Sequence, residues 1–230
     1  RLEFNPERRK LRLELVKVRY SLGQDADAGQ DFQAVVAGLS PEESSQEILD
    51  LQRYLRSIDR EDAATPYLAQ FLKVSPERLD VARELIEIYL SGDRRADAEK
   101  LVTSLDAAEA APENVVDLVE YLLSVEMFAG ARFILVERLG QTPDDFILGV
   151  ILIRALGELG DQAAAVRQIA FLRDKTDSPE RYSQWLKASK AAHARMESID
   201  TFLDTEQQRF SFSDDEWPEA KVEKFLILCE

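Results

Sequence analysis

The chain has 230 residues, 45% of them apolar and 32% charged, with 44 acids against 29 bases and a formal net charge of −15. That acidity makes nucleic acid and anionic membrane surfaces poor general partners and favours cationic ones. One cysteine, Cys229, and one histidine, His193, exclude an internal disulfide, a Cys-cluster metal site and an imidazole-assisted metal shell.

Seven of the eight prolines are followed directly by an acid: Pro6-Glu7, Pro41-Glu42, Pro76-Glu77, Pro112-Glu113, Pro143-Asp144, Pro179-Glu180 and Pro218-Glu219. A proline fits the first helical turn because its missing N–H is unpaired there in any case, and the acid beside it faces the positive end of the helix dipole. Asn5, Ser40, Ser75, Thr142 and Ser178 precede five of the pairs and are suited to cap the helix start. The pairs are spaced by 35, 35, 36, 31, 36 and 39 residues, so the sequence announces a new helix about every 35 residues. Such a period predicts an all-α solenoid of helix–turn–helix units, with residues 1–230 read as one continuous repeat domain.

In the first unit Leu11, Leu15, Val18 and Leu22 fall at i, i+4, i+7 and i+11, which predicts one buried helical face ending at Gly23. A second helix follows, with Ala28, Phe32, Val35 and Val36. The second unit holds the one proline outside the series, Pro66, which after Thr65 reads as another capped start. In the third unit Val81, Leu85 and Ile88 precede a stop at Gly92-Asp93. The fourth has no glycine stop, but small residues Ala129-Gly130-Ala131 open its second helix. The fifth repeats the first: Leu148, Leu152, Ala155 and Leu159 before Gly160, then Ala165, Ile169 and Leu172. Leu15 and Leu152 are therefore both expected on buried inter-helix faces. Beyond Pro179 the pattern loosens, and the count comes to six helix pairs and a last helix from about Pro218.

Gly23, Ala28, Phe32 and Pro41 in the first unit, and Gly160, Ala165, Ile169 and Pro179 in the fifth, resemble the tetratricopeptide repeat. The mid-helix position that this family usually fills with a small residue carries Val16 and Ile153 here. The resemblance implies a right-handed superhelix whose concave groove, lined by first helices, binds peptides, proteins or occasionally other polymers.

Candidate chemistry is sparse. His193 sits in a helical context without a second ligand, and no Gly-x-Ser-x-Gly stretch accompanies it. Gly149, Gly157 and Gly160 lie in an apolar helical pattern without a phosphate-loop lysine. Asp144-Asp145 and Asp214-Asp215-Glu216 are explained as helix-start acids. Phe210, Phe212 and Trp217 read as a cover for a solenoid end rather than a peptide site. No catalytic, cofactor-binding or metal-binding residue is assigned, and the partner-binding residues are left unassigned.

Charge is polarised along the chain. Residues 1–20 hold seven bases against three acids, and residues 200–219 hold seven acids against Arg209. The leading expectation is a non-catalytic scaffold holding a protein partner with a basic surface, in its groove or at an end. The alternatives are a guide for a cationic polysaccharide and a structural spacer. In size and acidity the chain also resembles the repeat region of Pel-type bacterial exopolysaccharide export proteins, which implies a periplasmic setting and recruitment of a modifying enzyme. The sequence has no run apolar enough to span a membrane. Helical pattern close to both ends, with Arg1 as first residue, leads to the expectation of flanking sequence in a longer protein.

Overall fold

In a computed structural model, the described residues are 6–193 apart from 38 and 174. Among them are eleven α-helices and one short 3₁₀ helix, with no strand, as the repeat pattern predicts. In chain order they are α1 (Pro6–Ser21), α2 (Asp25–Val36), α3 (Pro41–Ser57), a 3₁₀ helix (Glu61–Ala64), α4 (Thr65–Leu72), α5 (Leu79–Ser91), α6 (Arg95–Val102), α7 (Pro112–Ser124), α8 (Phe128–Gln141), α9 (Phe146–Leu159), α10 (Gln162–Arg173) and α11 (Pro179–His193). Contacts divide the chain into two compact units, Arg1–Asp106 and Ala107–Glu230. The first contains the hairpins α1/α2, α3/α4 and α5/α6, and the second contains α7/α8, α9/α10 and α11. The sixth partner helix and the helix from Pro218 fall outside the described residues.

The hairpins share one turn. Gly23, Asp59, Asp93, Glu126 and Gly160 all have φ between 56° and 76°, the left-handed region, and lie 33 to 36 residues apart. In each case the next residue donates its N–H five residues back: Gln24 to Arg19, Arg60 to Leu55, Arg94 to Tyr89, Met127 to Leu122 and Asp161 to Leu156, at 2.7–3.0 Å. This is the Schellman closure, which satisfies a helix-end carbonyl and turns the chain back. The turn at Gly92-Asp93 therefore differs from expectation: Gly92 has φ −86° and Asp93 takes the left-handed place.

Counting from that residue puts the repeats in register. Five positions later stands alanine every time, Ala28, Ala64, Ala98, Ala131 and Ala165, all buried. Nine positions later stand Phe32, Leu68, Val102, Leu135 and Ile169, also buried. Seven positions before it stand Val16, Gln52, Ile86, Val119 and Ile153, each with no exposed surface. The methyl side chain of the alanine allows the second helix to lie close to the first, while the larger residues on either side fill the seam.

The proline–acid pairs divide into two kinds. Pro6, Pro41, Pro112 and Pro179 begin helices. The start of α3 is a complete capping box, with Glu43 N–H donating to Ser40 Oγ at 3.3 Å and Ser40 N–H to Glu43 Oε2 at 3.2 Å. Ser178 likewise accepts from Arg181 N–H at 3.3 Å ahead of α11. Pro76 and Pro143 instead occupy β-turns closed by Arg78 N–H to Ser75 O and Asp145 N–H to Thr142 O. Proline suits the second place of such a turn as well as it suits a first helical turn. Ser75 and Thr142 are thus turn residues, and Asp145 caps α9 by accepting from Leu148 N–H at 3.1 Å. Thr65 does not cap either, because the 3₁₀ helix runs straight into α4 and places the cap position at Ala64. Asn5 and Pro218 lie outside the described residues.

The buried face of α1 is also not the expected one. Val16 and Tyr20 are buried, whereas Leu11, Leu15, Val18 and Leu22 are 70%, 43%, 51% and 67% exposed. The face turned inward carries half-buried Arg9 and Lys17 beside Val16 and Tyr20. In α9 three of the four residues of the expected face are buried, Leu148, Leu152 and Ala155, while Leu159 is 38% exposed.

In the first unit the Tyr20 and Tyr67 hydroxyls share a 2.9 Å hydrogen bond, and burial followed by that bond pushes the Tyr20 phenol up. A β-carbon at Gly29 would overlap the Tyr67 hydroxyl, which explains glycine in the middle of α2. The second unit is centred on Trp185, fully buried among Phe146, Ile153, Ile169, Leu172 and Ala192. Its indole N–H donates to Ile169 O at 3.0 Å, pinning α11 to α10.

Two substitutions test these faces. Leu152→Asp places an unpaired charge in the seam and is expected to lower stability by about 3 kcal/mol or more, while Leu15→Asp stays within about 0.5 kcal/mol of the parent. Urea titrations of both variants measure the contrast. Gln52 occupies a seam position filled by Val or Ile in the other hairpins, and both its amide atoms are buried without a hydrogen-bond partner. Replacing it by leucine removes that desolvation penalty, so Gln52→Leu is expected to raise stability by about 1–3 kcal/mol in the same titration.

Candidate functional site

The first helices of the hairpins carry most of the long-range ion pairs. In the first unit Arg9 of α1 reaches Glu43 at 3.4 Å and Glu47 at 3.6 Å on α3. Arg56 of α3 reaches Glu84 and Glu87 on α5, both at 3.2 Å, and Glu61 at 3.5 Å. In the second unit Arg154 of α9 bonds Glu120 of α7 at 2.7 Å. Two of these pairs, Arg9–Glu43 and Arg154–Glu120, are separated by 34 residues, one repeat. A base on one first helix thus meets an acid at the matching height of its neighbour. Such half-open pairs contribute under about 1 kcal/mol each, so their effect is more to fix helix register than to stabilise. Burial pushes the Glu47 and Glu84 carboxyls above the usual range, against the pull of Arg9 and Arg56 respectively. Glu43 moves the other way, held low first by the Ser40 backbone N–H.

Beside the Arg154–Glu120 pair lies a hollow of about 210 Å³, lined by Glu120, Leu123, Ser124, Phe128, Arg154, Glu158 and Ala191. Four helices of the second unit contribute: α7, the start of α8, α9 and α11. Leu123, Phe128 and Ala191 supply apolar surface, and the charged groups come from α7 and α9. The volume falls below the roughly 300–1,000 Å³ of small-molecule pockets and suits one inserted side chain.

Two further hollows belong to the same unit. One, of about 450 Å³, is lined by α8 alone with Ala129, Arg132, Phe133, Val136 and Glu137. The other, of about 420 Å³, includes Asp144, Asp145, Glu180 and Arg181. Three of its four charges are already engaged: Asp144 pairs with Lys175, Asp145 caps α9, and Arg181 reaches Asp177 at 3.1 Å. Of the three, the hollow beside Arg154 is the one whose lining charges pair with each other across two helices, Arg154 of α9 with Glu120 of α7.

The width of this hollow depends on close packing. A β-carbon at Gly157 of α9 would come within 2.9 Å of Ala192 Cα, so the backbones of α9 and α11 approach as closely as glycine permits. Gly149 packs in the same way against Leu172 of α10, with both methyls 2.9 Å from the added β-carbon. Gly160 has the left-handed turn. All three glycines that interrupt this apolar stretch are accounted for by backbone geometry.

His193 is the last residue of α11, and no group of acids, cysteines and histidine among the described residues is arranged to hold a metal ion. Phe210, Phe212, Trp217 and the acids Asp214, Asp215 and Glu216 lie outside the described residues. No described helix is long and apolar enough to cross a membrane. The residues lining the hollow were not singled out by sequence, because they come from positions scattered between 120 and 191. The Arg154–Glu120 separation of one repeat is the signal that was available.

No family model matches the chain, and no curated protein does. Among solved structures the chain is similar to a tetratricopeptide repeat protein from Parabacteroides merdae, with 14% identity over 97% of this chain and 86% of that one, at a TM-score of 0.34. At that score the assignment of the fold rests on the recurrence of the turn and the seam within this chain.

Gly157→Ala tests the close approach. The added methyl forces α9 and α11 apart and is expected to cost about 1–3 kcal/mol, read as a lower thermal midpoint. An unchanged midpoint would mean that the two backbones are not in contact.

Proposed function

We propose that this chain is a non-catalytic interaction scaffold that holds a peptide segment of a protein partner on the first-helix face of its second unit. The observation that carries the reading is the hollow beside the Arg154–Glu120 pair, where Leu123, Phe128 and Ala191 offer apolar surface next to fixed charges. An inserted aliphatic or aromatic side chain gains from leaving water, and the adjacent charges orient the peptide around it. The net charge of −15 favours a partner with a basic surface.

A guide for a cationic polysaccharide, in a periplasmic export assembly, is the competing reading, and the same acidity supports it. Sugar rings are held by open aromatic faces, however, and four of the five tyrosines on the first helices are committed. Tyr54 donates its hydroxyl to Lys17 O at 2.9 Å, Arg94 stacks on Tyr89 at 4.4 Å, and Tyr20 and Tyr182 are buried. Those commitments support a peptide over a sugar chain.

Peptides selected from a random displayed library on the whole chain, and a glucosamine oligomer, are the probes. Calorimetry is expected to show a selected basic peptide binding with an affinity that falls with salt, and losing about tenfold or more in Ala191→Phe, which fills the hollow, and in Leu123→Ser, which strips it. Binding of the glucosamine oligomer alone would replace this reading with the polysaccharide one. Binding of neither would leave a spacer.

A further inference from the structure

The exposed residues Leu11, Leu15, Val18 and Leu22 form a single stripe on the side of α1 opposite its buried residues Val16 and Tyr20. Their spacing of four, three and four residues is that of a two-helix seam. One flank of the stripe carries Arg8, Arg12 and Arg19. Arg19 is drawn aside by Asp31 at 2.7 Å, while Arg8 and Arg12 are exposed and make no ion pair among the described residues. On the other flank Glu14 is bound to Lys17 at 3.0 Å, leaving Lys10 exposed beside it. In a chain of net charge −15, this surface is locally basic.

We propose that the outer face of α1 is a second docking surface, separate from the hollow of the second unit, and that its occupant is an amphipathic helix of a partner protein with acidic residues flanking an apolar seam. Charge complementarity selects that occupant. A second copy of the chain would set the same basic helix against itself. An antiparallel pairing centred on the stripe sets Arg12 of one copy beside Arg19 of the other, and a parallel one sets Arg8 against Arg8, which like charges disfavour. A lipid surface fits less well, because an interfacial helix presents a wide apolar face with bulky residues, whereas this stripe is one seam wide and contains only leucine and valine. The acidity of the rest of the chain also opposes an anionic bilayer. An acidic helix meets both requirements, apolar contact along the seam and carboxylates opposite Arg8 and Arg12.

The probe is a synthetic helix with leucines at the same four-three-four spacing and glutamates on both flanks, compared with a peptide in which lysines replace the glutamates. Fluorescence anisotropy against the whole chain is expected to show binding of the glutamate peptide, weakening with salt. The double variant Leu15→Ser/Val18→Ser is expected to lose about tenfold or more in affinity while keeping its thermal midpoint, since both side chains are exposed. Arg8→Glu/Arg12→Glu is expected to reverse the preference toward the lysine peptide. Equal binding of the two peptides, binding indifferent to the serine variant, or no binding by either would overturn the proposal. So would a dimer in sedimentation that the serine substitutions dissociate, which would make the occupant a second copy. Retention on vesicles of mixed phosphatidylcholine and phosphatidylserine that is lost in the serine variant would make it a lipid surface.

Discussion

Every hairpin depends on one residue holding a left-handed backbone conformation at the end of its first helix. That residue ends the first helix and, through the N–H that follows it, fixes the starting angle of the second. The phase of both helices is then set, so the same offset from the turn always finds an alanine and the same offset before it always finds a seam residue. Glycine adopts the conformation freely, but Asp59, Asp93 and Glu126 adopt it at a cost of about 1–2 kcal/mol each. Those three turns persist because the seams on either side of them hold the geometry in place.

A fold built this way rests on local contacts. Each second helix packs on the first helix of its own hairpin, and the ion pairs between successive first helices bridge about one repeat of sequence. The repeat also tolerates local exceptions. One seam position is filled by Gln52, with its amide unpaired, yet the hairpin has its turn, its alanine and its buried apolar residue, Leu68, at the same offsets as the rest. At the start of the second unit, ahead of α7, Ala107 and Ala110 are buried and Ala107 N–H donates to Glu137 at 3.3 Å.

The sequence made the period legible through its prolines, and it made two turns legible through Gly23 and Gly160. It was less informative where one residue type serves two geometries. A proline before an acid suits a first helical turn and a β-turn alike, so Pro76 and Pro143 announced their helices a few residues early. Left-handed Asp59 and Glu126 gave no compositional signal, although the recurring alanine, aligned across five units, would have found them. The face of α1 was misread for a physical reason. The most apolar stripe of a helix is ordinarily the buried one, whereas among the described residues the mixed face around Val16 and Tyr20 is packed and the leucine stripe is left exposed. The hollow was illegible because it exists only after four helices have been brought together.

Gly157 stands behind that hollow without lining it. It meets α11 at Ala192, and the next residue back, Ala191, is the one that α11 contributes to the hollow's wall. The aperture is therefore governed from the adjoining face of each helix, by how far one backbone can be pressed against another. Selectivity at such a site can drift without any change to a residue that a ligand would touch. A comparison of relatives by their lining residues alone would miss the position that sets the fit.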